Sequence, residues 1–150
     1  MTDILTELNE TIFSQLQKEK LVLLHTLDNE SGSPTSSVIS WLNAIDTKTV
    51  RFAVDQRSRI VNNVKNNKLV SLTTFASTTV YEISGSAEII TEEMEEVPFK
   101  LACIEISIKS IRDVMFYGAR ISTEPEYEKT YDKRAAEKLD NQVFEAIKKS

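Results

Sequence analysis

The sequence predicts a mainly β fold of the α+β class, an antiparallel barrel that is closed or nearly closed and has helices at its margins. Three observations predict it. Apolar and polar residues alternate over several short segments, as in strands with one buried face. Short runs of turn-forming residues join these segments, and no regular β-α-β alternation occurs. Helical spacing of apolar residues is confined to the two ends of the chain and one short internal segment.

The composition is that of an ordinary globular protein. The chain has 150 residues, of which 41% are hydrophobic and 27% are charged, and no linker or repeat divides it. We therefore predict a single domain over residues 1–150. The net charge of −5 argues against nucleic acid or an anionic membrane as a partner. The N-terminus is amphipathic rather than signal-like and no apolar run is long enough to span a membrane, so we expect a cytoplasmic location.

The first part of the chain is predicted to contain a helix and a hairpin. Apolar residues recur at helical spacing over residues 3–18, where Thr2 or Asp3 can cap the helix. A short apolar run, Leu21 to Leu27, and a longer β-branched run, Ser36 to Ala44, are separated by turn-forming residues. This arrangement is typical of a hairpin with a long loop.

A short helix is predicted inside the β-rich region. Apolar residues alternate over residues 50–54, which indicates a strand with one buried face. Residues 57–67 then follow a helical pattern, and either Asp55 or Ser58 can cap its start. The inserted helix is therefore expected to begin directly after the strand.

The second half of the chain is predicted to hold four strands, a loop and a C-terminal helix. Gly85 interrupts the second of these strands, which indicates a bulge, a barrel corner or a close approach of two backbones. The predicted segments are strands over residues 69–75, 80–90, 102–108 and 111–121, a loop over residues 123–131 and a helix over residues 132–148.

The side chains do not by themselves indicate a reaction. Three isolated glycines cannot form a dinucleotide fingerprint or a P-loop, and one histidine and one cysteine cannot make a typical zinc site, so no metal site is predicted. His25 is interpreted as structural, and Cys103 as a partly buried thiol on the polar face of its strand. No catalytic residue is assigned, which suits a protein whose organic cofactor carries the chemistry.

Residues 51–72 form the most distinctive segment of the sequence. They read RFAVDQRSRIVNNVKNNKLVSL: a strand with Phe52 near its end, a turn, Ser58-Arg59 opening a helix, and Val70-Ser71-Leu72 in the next strand. This segment resembles the central motif of the FMN-binding split barrels of the pyridoxamine 5′-phosphate oxidase-like superfamily. The segments Pro34–Trp41 and Ile83–Glu88 resemble two further family strands, so the resemblance covers about residues 20–110. It implies a split β-barrel with an N-terminal, an inserted and a C-terminal helix.

The resemblance implies a homodimer that binds FMN in a groove between subunits and acts on a small molecule. The phosphate would lie at the helix start beside Ser58 and Arg59, where amide groups and a guanidinium converge. The isoalloxazine ring would lie against the preceding strand, and Trp41 is expected either in the barrel core or stacked near that ring. Phe116-Tyr117 is expected in the core or at the dimer interface. The predicted FMN-binding residues are Ser37, Ile39, Ser40, Phe52, Ala53, Val54, Arg57, Ser58, Arg59, Thr78 and Thr79.

The sequence departs from the family pattern at several positions that bear on cofactor and substrate binding. Ile60 stands where the family has a lysine, and Lys68 stands where the family has a proline. Residues 36–43 carry none of the basic residues with which the true oxidases grip FMN, and the C-terminal Arg-x-His substrate motif is absent. Authentic pyridoxamine phosphate oxidation is therefore not expected. Two interpretations stay open: an FMN-dependent oxidoreductase, or a non-catalytic flavin- or ligand-binding, stress-related protein that has weakened or lost FMN binding.

Overall fold

The structure is a computed structural model that describes residues 4–150. Its helices are α1 (Glu10–Gln15), α2 (Arg59–Asn66) and α3 (Lys133–Lys149). Its strands are β1 (Val22–Leu27), β2 (Pro34–Ile39), β3 (Leu42–Asp46), β4 (Thr49–Asp55), β5 (Leu69–Ala76), β6 (Thr79–Thr91) and β7 (Leu101–Asp113). Within residues 4–150, no helix is both long enough and apolar enough to cross a membrane.

The strands form one seven-stranded sheet in the order β2-β1-β5-β6-β7-β4-β3, and neighbouring strands run antiparallel. The predicted mainly β split barrel with three helices is confirmed. The extended run predicted over residues 36–44 is two strands, because strand pairing is interrupted at Ser40-Trp41 and the two parts pair with different neighbours. Consequently β2 and β3, which are consecutive in sequence, lie at opposite edges of the sheet.

Apolar side chains pack on both sides of β4 and β7. The barrel interior contains the fully buried side chains of Phe52 and Ile104, together with residues of α1 and α2. A second cluster lies under α3 and includes Cys103, Val143 and Ile147. The interpretation of Cys103 as a partly buried thiol on a polar face was wrong, because α3 covers that face and leaves the residue 0% exposed.

The N-terminal helix is shorter than predicted. It begins at Glu10 rather than near residue 3, because Asn9 is its cap and accepts a hydrogen bond of 2.8 Å from the Ile12 amide. Leu5 forms a β-bridge to Ile111 instead, with backbone hydrogen bonds of 3.0 and 2.8 Å. The candidate caps Thr2 and Asp3 lie outside the described residues.

The prediction of two strands over residues 102–108 and 111–121 was wrong, because they form one strand, β7, which ends at Asp113; residues 114–131 have no regular secondary structure. Phe116 and Tyr117 are exposed there, so the expectation that they belong to the core was wrong. The predicted loop over residues 123–131 and the predicted C-terminal helix are confirmed, the latter capped by Asp132. Trp41 packs in the cluster under α3, where its indole N–H donates a 2.8 Å hydrogen bond to Asp140.

Gly85 marks a close approach of β6 and β7. A Cβ atom at this position would lie 2.3 Å from the carbonyl oxygen of Ser107 and 2.8 Å from Cγ2 of Ile106. The register between the two strands also shifts between Ser84 and Gly85. The predicted strand irregularity is confirmed, and its physical cause is that no side chain fits between the two backbones.

Candidate functional site

The start of α2 is fixed by a cap and by an apolar stripe. The Ser58 hydroxyl accepts a hydrogen bond of 3.1 Å from the Ile60 amide, which makes Ser58 the cap. Ile60, Val61 and Val64 are buried and anchor the helix to the barrel. Ile60, which stands in place of the family lysine, is only 5% exposed and belongs to the core.

Arg59 reaches from α2 to the edge strand β2. Its Nη2 donates a hydrogen bond of 3.3 Å to the carbonyl oxygen of Ser36, and its side chain is exposed. Asp28 lies nearby: hydrogen bonds from Ser31 lower the pKa of this carboxyl, and the charge of Arg59 lowers it further. The structure thus brings the start of α2 to the middle of β2.

Arg57 belongs to a local turn that Asp55 organises. The backbone N–H of Arg57 donates a 2.8 Å hydrogen bond to Asp55, and its guanidinium nitrogens lie 3.3 and 3.4 Å from the same carboxylate. These hydrogen bonds hold the pKa of Asp55 below its usual range. The charge of Arg57 is therefore already paired at the position where the phosphate is expected.

The predicted residues of β2 lie along an open sheet edge. Among the described strands, β2 pairs only with β1, so that Ser37 lies opposite Leu24 and Ile39 lies opposite Val22. Ser37 and Ile39 are half-buried on one face, and Ser40 follows directly after the strand. This edge and the start of α2 together form a candidate ligand groove.

The segment Phe52–Val54 lies inside the sheet. These residues are 0%, 3% and 8% exposed, with Phe52 and Val54 in the barrel core and Ala53 under α3. Residues of β7 pair with them on one side, and the Ala53 amide donates a 3.0 Å hydrogen bond to the Trp41 carbonyl on the other. Little of this segment is accessible in a single chain.

Thr78 and Thr79 lie at the far end of β5 from α2. Thr78 is in the turn between β5 and β6 with a φ of 62°, and the Thr79 hydroxyl donates a 2.8 Å hydrogen bond to Asp113. Because β5 begins where α2 ends and has eight residues, its two ends are roughly 23 Å apart. The structure does not bring these threonines to the start of α2 within one chain.

His25 is held between two hydroxyl groups on the outer face of the sheet. Its Nδ1 lies 3.0 Å from the Ser36 Oγ, and its Nε2 lies 2.8 Å from the Thr73 Oγ1. Both ring nitrogens therefore have partners from neighbouring strands. Within residues 4–150, no group of three or more His, Cys, Asp or Glu side chains is arranged to hold a metal ion.

Two residues next to the groove were missed by sequence reasoning. Tyr127 and Lys129, in the irregular segment before α3, line a cavity of about 210 Å³ together with Ile39 and Ser40 of the groove. No periodicity or motif marks them in the sequence. Their position depends on contacts between segments that are distant in the chain, and local patterns carry no information about such contacts.

The family model described as pyridoxamine 5′-phosphate oxidase matches residues 8–113. The chain belongs to this family. The match includes all predicted FMN-binding residues and ends at the last residue of β7. Residues 114–150, with the irregular segment and α3, lie outside it. No curated protein matches the sequence.

Solved structures of several bacterial proteins are similar to this one. A protein from Lactobacillus delbrueckii named "putative pyridoxamine 5′-phosphate oxidase" has a TM-score of 0.59 at 19% identity, covering 71% of this chain and 98% of its own. General Stress Protein 26 from Bacillus anthracis has a TM-score of 0.55 at 16% identity, with coverages of 70% and 92%. A pyridoxamine 5′-phosphate oxidase-related, FMN-binding protein from Nostoc punctiforme has a TM-score of 0.50 at 9% identity, with coverages of 61% and 72%. At these identities the similarity shows the fold.

Proposed function

We propose that this protein is an FMN-dependent oxidoreductase that holds its flavin at a homodimer interface and acts on a small molecule. The observation that supports the proposal best is the contact of Arg59 with the edge of β2. Because of this contact, a capped helix start and an exposed guanidinium lie beside a strand edge. Helix N-termini and guanidinium groups stabilise phosphates, and a strand edge offers backbone and hydroxyl groups to a planar ring. Family membership supports the same ligand.

The hydrogen-bond donors and cations at the start of α2 meet only part of what the phosphate of FMN requires. A guanidinium has five N–H donors, and Arg59 uses one of them in its hydrogen bond to Ser36, so donors remain for a phosphate. Arg57 is paired with Asp55, and Ile60 contributes no charge. A phosphate at this site would therefore have Arg59 as its main cation, with Arg57 engaging it only by giving up its exposed and weak pair with Asp55, and we expect FMN to bind more weakly than in a site with several free cations.

Each part of the groove has a separate role in this proposal. FMN, when bound, would supply the electron transfer. Arg59 would neutralise the phosphate, Ser58 would hold the helix start in place, and the hydroxyls of Ser37 and Ser40 would orient polar atoms of the flavin. The buried strand that contains Phe52–Val54 leads into the turn before α2 and so fixes where that helix starts.

A homodimer is supported by the outer face of the sheet. Val38 and Leu69 are 62% and 58% exposed, and the alternation along β2 and β5 places them on the same outer face. A second copy would cover these apolar side chains. It could also bring Thr78 and Thr79 to a phosphate that they do not approach within one chain.

Replacing Arg59 with Ala tests the proposed phosphate site. We expect the wild-type protein to bind FMN, and Arg59→Ala to weaken binding about tenfold or more, because a hydrogen bond to a charged group contributes about 1.5–3 kcal/mol. Quenching of FMN fluorescence during titration would give both dissociation constants. Arg134→Ala, which removes an exposed arginine at the start of α3, is the matched control and should leave the affinity unchanged. Equal affinity of the Arg59→Ala variant and the wild type would refute the assignment.

The second candidate function is a non-catalytic ligand-binding protein with weakened FMN binding. The burial of Ile60 and the pairing of Arg57 with Asp55 favour it. The two candidates differ in the spectrum of protein purified from its host: bound flavin supports the oxidoreductase. A colourless protein that also fails to bind added FMN supports the alternative. Sedimentation at micromolar concentration tests the homodimer independently.

A further inference from the structure

Residues 121–131, here called the strap, lie between β7 and α3 and are held by hydrogen bonds and ion pairs at several positions. The Ile121 amide donates a 2.7 Å hydrogen bond to the Thr78 carbonyl, and Glu124 forms a 3.0 Å ion pair with Lys20. Lys129 lies 2.5 Å from Glu19 and 3.4 Å from Asp140 of α3. The strap is therefore held against three different parts of the fold, although it has no regular secondary structure.

A cavity of about 210 Å³ lies between the strap and β2. Its walls are mainly apolar, and its polar side chains belong to Ser40, Tyr127 and Lys129. The lining residues are Leu21, Val38, Ile39, Ser40, Tyr127 and Lys129. The cavity is partly open to solvent, and its volume is enough for a single ring with a small substituent, since an enclosed apolar cavity of about 150 Å³ in another protein holds benzene.

The charges around the cavity disfavour an anionic ligand. Burial opposes the charge of Lys129, but the carboxylates of Glu19 and Asp140 more than offset this and raise its pKa. One positive and two negative groups leave this cluster with a formal charge of −1. Desolvation, together with the Glu19 carboxylate, raises the pKa of Tyr127, so its phenol stays neutral at physiological pH.

We propose that this cavity binds an uncharged, single-ring aromatic molecule, with the ring of Tyr127 as one wall and the Ser40 hydroxyl as a hydrogen-bonding group. Aromatic rings prefer offset or edge-to-face contact with one another, which Tyr127 can provide. Ile39 and Ser40 also belong to the candidate FMN groove, so the ring would lie beside the flavin. That this aromatic molecule is the substrate rests on the proposed function. Its binding to the cavity does not depend on that function.

Trp41 provides a reporter for the test. It is the only tryptophan in the sequence, and its indole N–H donates to Asp140, which in turn contacts Lys129 of the cavity. We expect benzyl alcohol to shift the indole N–H resonance saturably in an NMR titration, and benzoate to bind at least tenfold more weakly because it carries a negative charge. Absence of saturation with benzyl alcohol, or equal affinity for the two probes, would overturn the proposal.

Two tyrosines of the strap provide a matched pair of variants. Tyr127 and Tyr131 are 43% and 47% exposed, but only Tyr127 lines the cavity. Tyr127→Ala should weaken benzyl alcohol binding at least fivefold, whereas Tyr131→Ala should leave it unchanged. Leu21→Gln, which changes another apolar lining residue, should also weaken binding and provides a second measurement if the Tyr127 variant folds poorly. Equal effects of the two tyrosine variants would contradict the assignment.

The experiment separates this proposal from the proposed FMN site. Arg59→Ala should lower the affinity for FMN without changing that for benzyl alcohol, and Tyr127→Ala should do the reverse. Saturable binding of benzyl alcohol by a protein that does not bind FMN supports the cavity and refutes only the flavin role. FMN binding without saturable binding of benzyl alcohol refutes the cavity alone.

Discussion

At the scale of single residues, Gly85 is the position with the least room. We expect Gly85→Ala to lower the free energy of unfolding by about 1–3 kcal/mol, since the nearest obstacle to a new Cβ is the backbone carbonyl of Ser107 rather than a movable side chain. Urea denaturation followed by circular dichroism would measure the change. Ser86→Ala, one residue along the same strand, should change the stability by less than about 0.5 kcal/mol. Equal stability of both variants would show that β6 and β7 can separate locally.

The Cys103 thiol should make the protein less stable at alkaline pH. Burial raises the pKa of this thiol above its usual value of 9.0, so the unfolded chain loses the proton first. The contribution to stability is intact below pH 9 and is lost as the pH rises towards the pKa of the folded state. Urea denaturation between pH 7 and pH 10.5 should show a steeper alkaline decline for the wild type than for Cys103→Ala. The prediction fails if the two proteins have parallel pH profiles.

At the scale of elements, Asn63 joins α2 to the β1–β2 hairpin. It is 1% exposed, its Nδ2 donates a 3.0 Å hydrogen bond to the Thr26 hydroxyl, and its Oδ1 accepts a 2.8 Å hydrogen bond from the Asn29 amide. Asn63→Ala should cost about 2 kcal/mol, because it leaves the buried Thr26 hydroxyl without its partner and removes the hydrogen bond from the Asn29 amide. The exposed neighbour Asn62 provides a matched control, and its replacement by Ala should be nearly neutral in thermal denaturation. A similar melting temperature for both variants would contradict this role.

The extent of α2 and of β4–β6 could be predicted from sequence because local rules determine them. Ser58 caps α2, and its apolar stripe faces the barrel, as the pattern indicates. The N-terminal helix was predicted too long because Leu5 has helical spacing but pairs with Ile111, which is distant in sequence. The break between β2 and β3 at Ser40-Trp41 was missed for a similar reason. Residues on both sides of it have β propensity, and only the partners of the two strands differ.

For the candidate site, the sequence identified the helix start but not its surroundings. Ser58 caps α2 and the exposed Arg59 contacts β2, whereas the pairing of Arg57 with Asp55 depends on side-chain conformation in a turn. The burial of Cys103 depends on the packing of α3, which alternation within one strand cannot reveal. Tyr127 and Lys129 depend on the path of the strap. Contacts made by irregular segments therefore account for most of what the sequence could not indicate.

At the scale of the whole molecule, the sheet order separates local from distant strand pairs. The pairs β1–β2, β3–β4, β5–β6 and β6–β7 join strands that are consecutive in sequence. The pairs β1–β5 and β4–β7 join distant strands, and the segment containing α2 lies between the members of each pair. The single sheet depends on both of these distant pairs.

This sheet order has a consequence for the kinetics of refolding. Hairpins close short loops, whereas the joining of β4 to β7 must close a long one at a larger entropic cost. In pulsed hydrogen-exchange labelling, amides between β5 and β6 should therefore be protected before those between β4 and β7, and simultaneous protection would contradict this order. Until β4 and β7 have joined, the cluster under α3 has no complete surface to pack on. The C-terminal helix should therefore be among the last parts of the chain to acquire its native contacts.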